Sequence, residues 1–229
     1  MIVIVGSLAW RPAPAAAPAG RACGVALAAA GRGARVELVS RVGEDAPGEA
    51  LLIALSRAGV GHAAVLRDPV RPTPILAPAP DPSPDEEDAS PFAETEPAGA
   101  AAEGPASSPD GPRLEAADVD LGMRYLAPSG VLVVTDDVPS DVMAAAVEAG
   151  QFAGTRLVVL VRPAGLASRS VPAGLPEDAT VLAAPSHDDG GAFDALVGAY
   201  AAALDGGADP ASAFAAAQGA TGWESATPE

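Results

Sequence analysis

Short, continuous runs of apolar residues, each followed by a helix-forming stretch, constrain the fold of this chain most strongly. Such runs occur at residues 2–5, 131–135, 156–161 and 180–184. Runs of this length without polar alternation are typical of parallel strands that are buried on both faces. Amphipathic or small-residue stretches that predict helices lie at 20–32, 48–58, 140–150 and 192–204. Strands that alternate with helices predict a mostly parallel sheet with helices on both faces.

The region between the two halves of the chain has a different composition. Residues 77–112 contain nine prolines, nine acidic residues and no basic residue. Such a segment buries too little apolar surface to offset the entropy lost on ordering. It predicts a disordered acidic linker, assigned to 77–117. The flanking segments, 1–76 and 118–229, are expected to be two halves of one domain.

The charge and the cysteine count exclude several classes of protein. The formal net charge is −17, whereas nucleic-acid binding and adsorption to anionic membranes both require a basic surface. The single cysteine, Cys23, excludes an internal disulfide and is expected to be a buried packing residue. His62 and His187 are too isolated in sequence to indicate a metal site. The N-terminus lacks the basic region of a signal peptide, so a cytoplasmic protein is expected.

The glycine-rich stretch before the helix at 192–204 is the strongest candidate for a functional site. Glycines there leave backbone N–H groups free at the helix N-terminus, which favours an anion. Asp194, in the first turn, is placed to act as a general base toward a hydroxyl group. The same pattern also occurs in ordinary helix starts, where an acidic residue complements the helix dipole.

Residues 188–194 resemble the second signature of the PfkB/ribokinase family of carbohydrate kinases, which reads Asp-Thr-Thr-Gly-Ala-Gly-Asp. The matching residues are Asp188, Gly191, Ala192 and Asp194. The resemblance implies that Asp194 is the catalytic base for the acceptor hydroxyl. It also implies an anion hole for the transferred phosphoryl group, formed by the amides of Gly190, Gly191, Ala192 and Phe193. The implied fold is a ribokinase-like three-layer α/β/α sandwich.

Other segments resemble the family in the same order along the chain. Residues 4–7 are similar to its opening strand, and 42–51 to its Val-Gly-x-Asp-x-Phe-Gly-x-x-Leu motif. Residues 206–213 are similar to its final helix pair. Continuing this register assigns the substrate-side positions to Ser7, Arg11, Gly20 and Gly24.

Several positions depart from the family pattern. Arg11 stands in place of an Asp that binds sugar hydroxyls, and Gly24 in place of an Asn. Phe193 replaces a glycine, and its ring is expected to obstruct the anion hole. Residues 10–19 are too few for the strands of the family's β-lid, which is expected to be largely missing. The family's Asn-x-x-Glu motif and its Thr-x-Gly nucleotide loop are also missing from this sequence.

Asp136 and Asp137 follow a predicted strand, at the edge where open α/β sheets bind ligands. Together with Asp188 they are candidate ligands for Mg²⁺. The alternative interpretation is a turn that starts the helix after Pro139.

Three functions remain open from the sequence. The first is a degenerate kinase that keeps the fold and binds a small ligand or nucleotide. The second is an active kinase that uses ATP and Mg²⁺ to phosphorylate a sugar or nucleoside. The third is an interaction protein that acts through the acidic segment. Because the lid forms the dimer interface in many family members, its loss predicts a monomer.

Overall fold

The central element is a six-stranded parallel sheet. The computed structural model describes residues 1–76, 111–162, 174–185, 188 and 191–223. The strands, from one edge to the other, are β5 (Val60–Asp68), β4 (Val36–Gly43), β1 (Ile2–Val5), β6 (Val131–Val134), β7 (Arg156–Val161) and β8 (Thr180–Ala183). This arrangement confirms the mostly parallel sheet that the apolar runs predict.

Helices cover both faces of the sheet. One face carries α1 (Arg21–Ala30), α2 (Ala46–Arg57), α5 (Ala192–Asp205) and α6 (Pro210–Thr221), and the other carries α3 (Ala116–Tyr125) and α4 (Ser140–Ala153). Strand β1 shows the division directly, because Ile2 and Ile4 lie in the first core and Val3 and Val5 in the second. All four side chains are fully buried, which explains why this strand does not alternate between apolar and polar residues.

Local sequence signals start two of these helices. The Asp45 carboxylate accepts a hydrogen bond from the N–H of Gly48 at 2.9 Å and caps α2. Asp209 caps α6 in the same way, accepting from the N–H of Ser212 at 3.0 Å. Each cap is followed by a proline in the first turn, where the missing N–H costs nothing.

The short connection between β1 and α1 forms two strands that the sequence analysis did not expect. β2 (Ala9–Arg11) and β3 (Ala17–Ala19) pair antiparallel. The backbone N–H of Trp10 also donates to the carbonyl of Pro74, and the N–H of Leu76 donates to the carbonyl of Trp10. A two-stranded ribbon therefore exists in this connection, although residues 10–19 seemed too few for strands. Three residues per strand suffice because β2 and β3 also pack against α2.

Two further expectations differ from the structure. β8 was expected to be fully buried, but Thr180–Ala183 alternates between half-buried and exposed residues because it is the edge of the sheet. The predicted linker includes residues 111–117, yet Leu114 is buried and α3 begins at Ala116. Residues 77–110, the rest of that linker, lie outside the described residues. Among the residues described, no helix is both long and apolar enough to cross a membrane.

The strand order reverses direction at the centre of the sheet. From β1 the chain adds β4 and β5 on one side, and then returns to add β6, β7 and β8 on the other. A crevice forms where the order reverses, at the carboxyl ends of β1 and β6, and such crevices are the ligand sites of open α/β sheets. Residues 6–7 and 135–137 follow these two strand ends.

Candidate functional site

The two loops at the reversal point are joined by hydrogen bonds. The Asp137 carboxylate accepts from the hydroxyl of Thr135 and, at 3.4 Å, from the backbone N–H of Ser7. Gly6 allows this contact, because a Cβ there would lie 2.2 Å from the Thr135 hydroxyl oxygen. Burial raises the pKa of Asp137, while the hydrogen bond from Thr135 opposes the shift. The Oδ1 atom of Asp137 therefore joins the loop after β1 to the loop after β6.

A carboxylate from the chain itself occupies the N-terminus of α5. Asp188 accepts hydrogen bonds from the N–H groups of Phe193, at 3.1 and 3.2 Å, and Asp194, at 3.3 Å. Gly191 precedes the helix with a left-handed φ of 65°. Of the amides that the sequence analysis assigned to an anion hole, that of Phe193 therefore already has an anionic partner. Gly190, assigned to the same hole, and His187 lie outside the described residues.

The Phe193 ring does not obstruct the site, which corrects the expectation from the sequence. Its side chain is 2% exposed and belongs to the core beneath α5. The ring packs against Trp223, with centroids 5.4 Å apart. A phenylalanine is accommodated here because the first turn of α5 directs the ring into the apolar layer between helix and sheet.

Arg21 links Asp194 to Asp136, and it is the site residue that the sequence analysis missed. Its Nη1 donates to Asp194 Oδ1 at 3.0 Å, and its Nε lies 2.7 Å from Asp136 Oδ1. The second contact is an ion pair rather than an aligned hydrogen bond. The guanidinium also lies 5.2 Å from the centroid of the Phe193 ring. An arginine at a helix start is common in a chain whose basic residues are all arginine, so the sequence carried no distinguishing signal.

Of the positions assigned to the substrate side, Gly20 and Gly24 lie near Arg21 and Asp194, whereas Arg11 does not. Gly24 contacts the candidate base, because a Cβ on Gly24 would lie 2.2 Å from Asp194 Oδ2. Gly20 precedes α1 with a φ of 91° and so sets the position of Arg21. Arg11 is exposed at the end of β2, and within the described part of the chain its side chain forms no hydrogen bond or ion pair.

The cleft beside Ser7 is small. Its lining residues are Ser7, Leu8, Ser40, Arg41, Pro74, Gly111, Pro112 and Leu114. Its volume of about 10 Å³ holds about one water molecule. Residues that precede and follow the 77–110 segment therefore line this cleft together with Ser7.

The Asp194 carboxylate titrates in an unusual range. Burial raises its pKa to about 7. The charge of Arg21 opposes this shift, whereas the charges of Asp188 and Asp136 add to it. Between the ordinary pKa of 3.8 and about 7 the folded protein therefore holds a proton that the unfolded chain releases.

This proton predicts a specific pH dependence of stability. The free energy of unfolding of the wild type, minus that of Asp194→Asn, should fall as pH rises from about 4 to about 7 and level off above that. Urea denaturation of both proteins across this range measures the difference. A difference that is constant, or that rises with pH, would show that Asp194 has no raised pKa.

Comparisons with known proteins identify the fold. A putative ribokinase II from E. coli, solved in complex with ATP and Mg²⁺, superposes with a TM-score of 0.62 at 14% identity over 96% of this chain and 91% of that chain. Arabidopsis thaliana ribokinase complexed with ribose and ATP gives 0.58 at 15% identity over 96% and 90%. A PfkB protein from Polaromonas sp. JS666 gives 0.61 at 18% identity over 96% of each chain. The chain has a ribokinase-like fold. No protein-family model matches the sequence, and no curated protein matches it.

The ribokinase-like fold implies Mg–ATP, and the described residues fit it poorly. A phosphate at the N-terminus of α5 would meet the Asp188 carboxylate, which already accepts from two amides. Of the candidate Mg²⁺ ligands, Asp136 is paired with Arg21, and Asp137 is bound to Thr135. Within the described ranges, no group of three or more His, Cys, Asp or Glu side chains is arranged to hold a metal ion.

Proposed function

We propose that this chain is a degenerate relative of the ribokinase-type carbohydrate kinases, one that keeps the fold but has lost phosphotransfer. The observation that carries the proposal is the Asp188 carboxylate on the N–H groups of Phe193 and Asp194. A kinase stabilises the charge of the transferred phosphoryl group with free donors at this place. Here a side chain of the protein already accepts from two N–H groups at the start of this helix, and its negative charge repels a phosphate.

The acceptor side supports the same proposal. In a kinase mechanism, the Asp194 carboxylate would accept a proton from a substrate hydroxyl within hydrogen-bonding distance. Its Oδ1 is instead occupied by Arg21 at 3.0 Å, and its Oδ2 faces Gly24 on α1. On both the donor side and the acceptor side, groups that a kinase would leave free are therefore paired within the chain itself.

An active sugar or nucleoside kinase is the second candidate, and one observation favours it. Asp194 lies at the carboxyl edge of the sheet with a pKa of about 7, a value suited to a general base at neutral pH. Activity would require Asp188 and Arg21 to leave their present partners when Mg–ATP and the acceptor bind.

A turnover assay separates the two candidates. The purified chain is incubated with Mg–ATP and a panel of sugars and nucleosides, and ADP formation is measured. We expect the wild type to form no more ADP than Asp194→Asn. That variant is the control for ADP that contaminating kinases form. Turnover by the wild type that Asp194→Asn abolishes would refute the degenerate kinase and establish the active one.

Ligand binding without turnover is measured separately. The degenerate relative is proposed to retain a site for a sugar, nucleoside or nucleotide. Such a ligand stabilises the folded state by mass action even where no reaction follows. A thermal-shift screen with ATP, ADP and the same sugars therefore identifies the ligand class.

A further inference from the structure

Arg21 forms a contact with two aspartates that has no assigned role. Arg21 begins α1, Asp136 follows β6, and Asp194 lies in the first turn of α5. The guanidinium bridges the two carboxylates at 2.7 and 3.0 Å. The three side chains are only 19%, 10% and 17% exposed, in that order. Three elements from distant parts of the sequence thus meet around one positive charge.

The backbone places Arg21 in this position before any ligand arrives. Gly24, one turn further along α1, lacks the Cβ that would collide with the Asp194 carboxylate. The Phe193 ring supports the guanidinium from one side. Because helix α1 and helix α5 are packed together, Arg21 loses little additional freedom when it forms both contacts.

The charges of the two carboxylates explain why Arg21 lies between them. Two partly buried carboxylates near each other repel, and a cation between them removes that repulsion. Arg21 supplies the cation from within the chain. A metal ion or a small cationic ligand entering this space would have to displace a guanidinium that is already paired with both carboxylates.

We propose that Arg21 is an internal latch whose guanidinium occupies the space between Asp136 and Asp194 and closes it to divalent metal ions. The latch deepens the proposed function, because it accounts for a kinase-like fold without a free cation site at the candidate base. Arg162 provides the matched comparison. Its Nε also approaches Asp136, but at 3.8 Å and with a side chain that is 55% exposed, so it does not close the space.

Mn²⁺ titration of the full chain tests the latch. At mildly alkaline pH, where the carboxylates are ionised, Mn²⁺ bound to each protein is measured by the loss of the electron paramagnetic resonance signal of the free ion. Acidic residues elsewhere bind Mn²⁺ weakly in every variant, so the comparison is between variants. Arg21→Met, which keeps an unbranched apolar stem but removes the guanidinium and its charge, should gain one site with affinity tighter than any wild-type site by about tenfold or more.

Two controls locate that site. Arg162→Met should bind Mn²⁺ like the wild type, and Arg21→Met combined with Asp136→Asn should lose the gained site. Equal Mn²⁺ binding by Arg21→Met and the wild type would overturn the latch. So would a gain that survives the Asp136→Asn change. ATP turnover by the wild type would instead contradict the proposed function, so the two failures are distinguishable.

A measurement on the wild type keeps the test decisive if Arg21→Met does not fold. A guanidinium nitrogen that donates a hydrogen bond to a partly buried carboxylate exchanges its protons slowly with water. The Nη1 protons of Arg21, which donate to Asp194, should therefore give a resolved nuclear magnetic resonance signal that exchanges more slowly than the guanidinium protons of exposed arginines such as Arg11. Exchange as fast as at Arg11 would also overturn the latch.

Discussion

Replacing Gly198 by alanine is expected to lower the free energy of unfolding by about 1–3 kcal/mol. Gly198 lies in α5 where that helix crosses α1, and a Cβ there would be 2.6 Å from Ala28 Cβ and 2.7 Å from the carbonyl oxygen of Val25. Neither a backbone oxygen nor a short alanine side chain can rotate away, so the two helices must separate. Chemical denaturation by urea measures the change.

A second glycine provides a control with the opposite sign. Gly219 lies in α6, and no atom lies within 4 Å of a Cβ added to it. Gly219→Ala should therefore raise the free energy of unfolding by about 0.5–1 kcal/mol through helix propensity alone. If both variants shift stability in the same direction, close packing of α5 on α1 is not what requires Gly198.

Removing Arg41 is expected to cost about 3 kcal/mol of stability. Arg41 on β4 binds Asp118 on α3 through two hydrogen bonds, of 2.7 and 2.9 Å. Asp118 is 8% exposed, so Arg41→Ala leaves a buried carboxylate without its positive partner. The pair also fixes the start of α3, because Asp118 accepts from the N–H of Glu115. Urea denaturation at low and high salt measures the loss.

An exposed ion pair between β5 and α2 is the control. Arg67 and Glu49 approach to 2.6 Å, but their side chains are 43% and 54% exposed. Arg67→Ala is expected to change the free energy of unfolding by less than about 1 kcal/mol, and by less still at high salt. Equal losses for the two variants would mean that burial does not set the strength of the Arg41 pair.

The α1–α5 contact that Gly198 permits also carries the candidate site. Arg21 begins α1 and Asp194 begins α5, so the crossing of the two helices brings the guanidinium to the carboxylate. On our proposals, side chains of the protein take both ligand positions: Asp188 that of an anion, and Arg21 that of a cation. Charges that pair within the protein stabilise the folded state. An enzyme would instead keep these groups unpaired so that they can bind its substrate.

Much of the fold could be predicted because its signals are local. The apolar runs at 2–5 and 131–135 predict buried parallel strands, and the caps at Asp45 and Asp209 show where helices begin. Helix α3 was not predicted, because its start lies beside the acidic segment. Its capping carboxylate, Asp118, could not be told apart in the sequence from the other acidic residues nearby. The strands β2 and β3 were missed because three-residue pairs depend on their packing against α2.

The sequence by itself determined the alternation of strands and helices, and with it the position of Asp194 at the start of α5 beside a glycine-rich turn. Only the tertiary structure decided what that residue touches. Arg21 is 173 residues away from Asp194 along the chain, and no periodicity or spacing relates two such positions. Hydrophobic patterning acts over a few residues, whereas the pairing of charges at a sheet edge depends on which helices cross there and how closely their small residues let them approach.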